Sequence, residues 1–140
     1  AALVNQAHNV LASGKDPTRM GSAHPNLVPY RAFEVEDGWF VIGVGSDLQW
    51  EKLVEILGIE TKSEWNENSG RIAERDNVET CIAGIIKNKT RKELEDLLQG
   101  IPCSPVNTIS EALNDPQSID RGLVSNYNGV QVLASPLRFY

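Results

Sequence analysis

Two dipeptides constrain this chain more than any other feature. Asp37-Gly38 lies between the β-formers of 30–36 and 39–44, and Asn128-Gly129 lies between 123–127 and 130–134. Asp-Gly and Asn-Gly are favoured at the centre of two-residue type I′ turns, because both central positions need positive φ. Each dipeptide therefore predicts an antiparallel hairpin. Gly43 and Gly45, near the end of the first, mark a bulge or a close backbone approach.

Between the hairpins the pattern is helical. Ser46 with Gln49 reads as a capping box, and Leu48, Trp50, Leu53, Val54, Ile56 and Leu57 supply an apolar stripe that Gly58 ends. Residues 60–70 are polar and read as loop or a short turn around Trp65. Ile72, Val78, Cys81, Ile82, Ile85 and Ile86 predict a second helix over 72–88. Thr90 with Glu93 caps a third, which Gly100 stops, and Thr108 with Glu111 caps a short fourth that ends before Asp115-Pro116. Residues 101–106 are extended, because each proline fixes its own φ and restricts its predecessor. A leading helix over 1–13, carrying Leu3, Val4, Ala7, Val10 and Leu11, stops at Gly14. It is followed by a loop punctuated by Pro17, Gly21, Pro25 and Pro29. The fold class is α+β: a small domain with two β-hairpins of antiparallel sheet packed against several helices, preceded by a linker helix.

Bulk properties exclude several functions. The net charge of −6 and the lack of a basic stripe argue against nucleic acid, and no polybasic cluster addresses anionic lipid. No apolar run approaches the roughly 20 residues of a membrane span. Cys81 and Cys103 have no metal-ligand spacing and read as reduced, intracellular thiols. The opening Ala1-Ala2-Leu3 has no initiator Met and no signal peptide, and reads as cut from a longer polypeptide.

No catalytic set is complete. Gly43-Val44-Gly45 is a fragment of a phosphate-binding pattern without its third glycine, and a turn needing small residues is the better reading. His8 reads as an exposed helix residue. His24 is the stronger candidate, because it sits in an irregular loop, where function concentrates. Cys103 has no cation or helix N-terminus beside it and reads as a buried thiol, and Cys81 as core. Asp37 and Asp115 have turn chemistry, and no carboxylate pair stands out for acid–base work. Trp39 and Trp50 are placed for core packing. Glu93, Glu95 and Asp96 form a solvated helix face with Arg91 and Lys92.

A wider pattern carries a resemblance. The stretch NQAHNVLASGKDPTRMGSAHPNLVPYRAF (5–33) contains Asn9, Leu11, Gly14, Pro17, Arg19, Gly21, His24-Pro25-Asn26, Pro29-Tyr30 and Phe33. Asp37-Gly38, Phe40 to Val44, Gly45-Ser46 and Trp50 follow, then Arg71 to Arg75. Gly100-Ile101-Pro102-Cys103-Ser104-Pro105-Val106-Asn107 comes next, then Asp115-Pro116-Gln117, Arg121-Gly122 and Ser135-Pro136. In this order the motifs resemble the small domain of family III CoA-transferases (CaiB/BaiF type), with Ser104 in place of that family's usual glycine. The likeness is to succinate and dicarboxylate CoA-transferases.

The resemblance implies residues 1–30 as linker helix and glycine-loop-like segment, and 31–140 as the small α+β domain, with a large Rossmann-like domain absent. It implies CoA transfer between an acyl-CoA and a carboxylic acid through an aspartyl intermediate. The nucleophilic aspartate lies outside this chain, so no catalytic residue is assigned within it. Gly21, Ser22, Ala23, His24, Pro25 and Asn26 correspond to the family's active-site loop beside the acyl group, with Ser22, Ala23 and His24 where some relatives carry glycines. The loop's implied task is to shield reactive intermediates from water. Coenzyme A is implied as substrate, with no covalently bound cofactor and no metal. The implied partners are the large domain of the same protein and a second subunit in an interlocked homodimer, with no nucleic acid and no membrane. The implied location is intracellular, cytoplasmic or mitochondrial. Two alternatives stay open: an α-methylacyl-CoA racemase-like domain, and a non-catalytic docking domain.

Overall fold

A computed structural model describes residues 4–135. Leu3 of the predicted leading helix and Pro136 of the Ser-Pro motif lie outside the described residues. The chain forms two compact units, divided between Ser104 and Pro105. The first holds α1 (Val4–Ser13), β1 (Tyr30–Val35), β2 (Gly38–Gly43), α2 (Asp47–Leu57), a 3-10 turn (Ser63–Trp65), α3 (Asn68–Ala73), α4 (Arg75–Ile86) and α5 (Arg91–Leu97). Strand β3 (Cys103–Pro105) completes a three-stranded sheet in the order β1-β2-β3. The second unit holds α6 (Ile109–Asn114), α7 (Pro116–Asp120), β4 (Val124–Tyr127) and β5 (Val130–Leu133). The class is α+β, as the turn and capping signals predict.

The first hairpin is antiparallel, with Phe33 opposite Phe40 and Val35 opposite Gly38. Its two-residue turn is therefore Glu36-Asp37, one residue earlier than the Asp-Gly signal predicts, and Gly38 opens β2 at φ 145°. The cause is tertiary: Asp37 Oδ1 accepts from the Arg91 backbone N–H at 2.8 Å, and the Glu36 N–H donates to the Lys89 carbonyl at 3.1 Å. Phe33, Val35, Phe40 and Ile42 point into the core, because side chains alternate across a strand. Trp39 is on the other face and 48% exposed, which corrects its expected core placement.

Helix α4 covers the sheet with Val78, Ile82 and Ile86, spaced four apart and fully buried. Trp50 and Leu53 of α2, Leu94 of α5, and Leu98 and Ile101 close the same core. Burying each such side chain stabilises by roughly 1.5–3 kcal/mol. Leu48 and Ile72, assigned by period to the buried stripes, are 75% and 37% exposed. The predicted helix over 72–88 is two helices, α3 starting earlier and α4 following a break at Glu74, whose φ of −107° and ψ of 29° are not helical. Lys62, Asn77 and the Trp65 indole all donate to the Glu74 carboxylate, and these bonds hold its pKa below the usual carboxylate range. Gly84 lies exposed on α4 with nothing near a would-be Cβ. Gly84→Ala should therefore raise unfolding free energy by about 0.5–1 kcal/mol in a urea melt; a loss would mean that α4 is not a regular helix there.

In the second unit Tyr127 pairs with Val130 around Asn128 (φ 50°) and Gly129 (φ 83°), the predicted turn. The Asn126 side chain accepts from the Gly129 N–H at 2.8 Å. Thr108 and Glu111 form the predicted capping box. Where Asp115-Pro116 predicts a turn, the chain forms helix α7: Asp115 caps it through the Gln117 N–H at 2.8 Å, and Pro116 occupies its first turn. No residue of α6, α7, β4 or β5 is buried. No helix among the described residues is long and apolar enough to cross a membrane.

Candidate functional site

The loop singled out by sequence, Gly21 to Asn26, lies within the first unit and is tied down along its length. Gly21 takes φ 60°, which glycine adopts without strain. The Ser22 hydroxyl accepts from the Ala32 N–H of β1 at 3.1 Å, and the His24 N–H donates to the Tyr30 carbonyl at 2.9 Å. The loop thus runs back along β1. The His24 ring leans on Tyr30, centroids 5.4 Å apart and planes tilted by 49°. The Asn26 N–H donates to His24 Nδ1 at 3.1 Å.

Three side chains from three helices finish the bracing. Asn9 of α1 exchanges amide hydrogen bonds with Asn26, at 3.2 and 3.0 Å. Asn68 of α3 donates to the Asn26 carbonyl at 2.9 Å and accepts from the Val28 N–H at 3.2 Å. Arg75 of α4 donates through Nη2 to the carbonyls of His24 (3.0 Å) and Pro25 (2.9 Å). Its Nη1 meets Glu79 at 3.1 Å, and Glu79 takes Arg31 on its other oxygen at 2.6 Å. Glu79 is nearly buried, so two guanidinium groups satisfy a carboxylate that burial would otherwise penalise. An open groove between α1 and the loop is walled by Asn9, Ser13, Met20, Pro25 and Asn26, with Lys15 and Asp16 along it.

The other candidates fall where the residue chemistry puts them. His8 is exposed on α1, its Nδ1 2.9 Å from the Val4 carbonyl oxygen. The start of α2 is closed from within: Ser46 Oγ accepts from the Gln49 N–H, and Gln49 Oε1 accepts from the Gly45 N–H at 2.8 Å. That leaves the turn reading of Gly43 to Gly45 and no phosphate cradle. Cys103 is half-buried, and burial, then the nearby Glu95 charge, pushes its thiol pKa upward, the reverse of a reactive cysteine. Cys81 packs against the core. Four aspartates have structural partners: Asp37 with Arg91, Asp47 with Arg71, Asp96 with Lys92, and Asp115 at the cap of α7. Among the described residues no three His, Cys, Asp or Glu side chains gather as metal ligands.

In the sequence Arg75 stands only within the Arg71 to Arg75 motif, and nothing local marks Asn68. One local signal is present: Arg71 and Arg75 stand four apart, and by helical spacing they share the face that Val78, Ile82 and Ile86 carry into the core. An arginine in such a place needs carbonyl or carboxylate partners.

Comparison with known proteins converges on one family. Residues 1–139 match the family model described as CoA-transferase family III. The chain is 35% identical over 128 residues to a succinate–glutarate CoA-transferase of Agrobacterium fabrum, covering 88% of this chain and 32% of that protein. It is 34% identical over 115 residues to a succinyl-CoA:mesaconate CoA-transferase of Haloarcula hispanica, covering 81% of this chain and 29% of that protein. A crystal structure of a CaiB/BaiF family protein from Brucella suis superposes with a TM-score of 0.84 at 41% identity, over 98% of this chain and 38% of that one. The chain thus spans about a third of the length of the relatives it matches.

Proposed function

The chain belongs to CoA-transferase family III, and on that premise we propose that it is the small domain and lead-in segment of an enzyme that moves CoA between an acyl-CoA and a carboxylic acid. Dicarboxylic acids are the proposed substrate class, by analogy with the relatives that act on succinate, glutarate and mesaconate. The nucleophile is an aspartate on a large domain outside these 140 residues. The observation that carries this reading is the loop Gly21 to Asn26. Side chains from α1, α3 and α4 converge on it: Asn9 on the Asn26 side chain, Asn68 on the Asn26 carbonyl, and Arg75 on the carbonyls of His24 and Pro25. Convergent bracing of an irregular loop is what a site needs when it must hold geometry against a reactive intermediate.

The loop's proposed task is to line the acyl site and keep water from an anhydride or thioester. Its partners would be the large domain and a second subunit of a homodimer. The free thiols Cys81 and Cys103 suit an intracellular setting, cytoplasmic or mitochondrial.

The test is CoA exchange between succinyl-CoA and glutarate, measured with the 140-residue chain and with a longer protein that carries the preceding domain. The expected result is exchange by the longer protein and none by the 140-residue chain. Turnover by the shorter chain would sink the assignment of the nucleophile elsewhere. Exchange of the proton α to the thioester, without CoA transfer, would replace the transferase with a racemase. No activity of either kind in the longer protein would leave the docking-domain alternative.

A further inference from the structure

The loop's wiring fixes more than its shape. The Asn26 backbone N–H can only donate, and its acceptor is His24 Nδ1. Nδ1 must therefore carry a lone pair, and the neutral ring must hold its proton on Nε2. The peptide groups that orient the ring are fixed on both sides, by the Tyr30 carbonyl and by Arg75. Nε2 itself has no hydrogen-bond partner among the described residues. His8 offers the opposite case in the same chain: its Nδ1 faces the Val4 carbonyl, which can only accept, so there Nδ1 must donate.

We propose that His24 is a preset hydrogen-bond donor, presenting Nε2–H to an oxygen of the substrate, and that Arg75 is the positioning residue that sets it. The ligand class, a carboxylate or thioester carbonyl oxygen, rests on the function proposed above; the tautomer and its positioning do not. Arg75 suits the task because one guanidinium reaches three acceptors at once. Nη2 spans the two loop carbonyls while Nη1 is anchored on Glu79. A lysine ammonium, a single point on a flexible stem, cannot reproduce that fork. Arg31 holds Glu79 from the other side, so the anchor cannot swing away with Arg75.

The first experiment needs no substitution. Two-bond 1H–15N correlation spectra of the 140-residue chain, recorded on neutral rings, should show His24 in the Nε2–H form, with Nδ1 in the acceptor range. His8 should differ, biased toward Nδ1–H. A His24 signature averaged between tautomers, or in the Nδ1–H form, would overturn the proposal.

Arg75→Lys should then move His24 toward the averaged signature while the amide shifts of β2 stay in place. An unchanged His24 signature would remove Arg75 from the role. Loss of the β2 shifts in both Arg75→Lys and Arg75→Gln would make it a folding residue and remove it equally. In the longer enzyme, His24→Ala and Arg75→Lys should each raise thioester hydrolysis relative to transfer, by about tenfold for one oriented hydrogen bond to a charged group. Unchanged partitioning in both would sink the substrate contact. If the wild-type longer protein shows no CoA exchange, the transferase reading fails and the tautomer result stands. If it shows exchange with an averaged His24, this inference fails alone.

Discussion

Replacing Arg71 by methionine should cost about 3–5 kcal/mol of unfolding free energy, the loss typical of removing one partner from a buried charged network. Arg71 is 1% exposed. Its Nε donates to the Val28 carbonyl at 2.8 Å, and Nη1 to the carbonyls of Trp65 (2.8 Å) and Asn66 (3.0 Å). Its Nη2 meets Asp47 at 2.7 Å, and the guanidinium carbon lies 5.1 Å from the Trp50 ring centroid. These bonds are not equal in weight. The Asp47 side chain is about half exposed, so water can replace that ion pair, which contributes up to about 1 kcal/mol. The carbonyls are the larger loss, because each buried acceptor left without a donor costs roughly 1–3 kcal/mol. The expected result is therefore a large drop in urea midpoint, read by Trp fluorescence, with little dependence on salt. Arg71→Lys should lose about 2 kcal/mol or more, since one ammonium cannot serve three separated carbonyls. A loss under about 1 kcal/mol for methionine would mean that other donors already satisfy those oxygens.

That joint was hard to read from sequence, and the reason is general. Signals contained within a few residues were legible. Asn128-Gly129 gives its turn because both positive φ angles belong to the dipeptide itself. Thr90 and Glu93 give their capping box because each partner lies within one turn of the other. Asp115 and Pro116 carry an equally local signal, but an Asp-Pro pair serves a turn as well as a helix start, and the fold uses it for the helix. Signals whose deciding partner is distant failed. Asp37 is drawn into the turn by the Arg91 N–H, on another element. Trp39, Phe40, Val41 and Ile42 are all apolar, so alternation alone cannot say which pair faces inward; the position of α4 decides it. The break at Glu74 follows from Lys62, Trp65 and Asn77 converging on one carboxylate.

The site divides in the same way. The candidate loop stands out in the sequence because glycine, histidine, proline and asparagine recur there in a family's order. Its stiffness does not. Chain composition around Gly21 to Asn26 reads only as an irregular loop, and the bracing comes from Asn9, Asn68 and Arg75. The partners of Asp37, Asp47, Asp96 and Asp115 are likewise seen only in the fold: Arg91, Arg71, Lys92 and the start of α7.

Gly70→Ala should be as damaging as the loss of Arg71, although helix propensity argues for the reverse sign. In a helix interior alanine is favoured over glycine by about 1 kcal/mol, and Gly70 lies inside α3. A Cβ on Gly70, however, would overlap the main-chain carbonyl oxygen of Glu64 and stand 2.8 Å from its carbon. Backbone cannot swing aside as a side-chain tip can, so α3 must move off the 3-10 turn. Arg71 is the next residue, and its bonds to Trp65 and Asn66 reach that same turn. Overpacking and the strained hydrogen bonds together should cost about 3–5 kcal/mol. The sign separates this site from Gly84, where open space lets the propensity gain appear. Because both changes disrupt one joint, Gly70→Ala and Arg71→Met combined should lose at least about 1 kcal/mol less than their sum. Additive losses would show that the contact of Gly70 with Glu64 and the Arg71 network act separately, and would refute the single joint between α3 and the 3-10 turn.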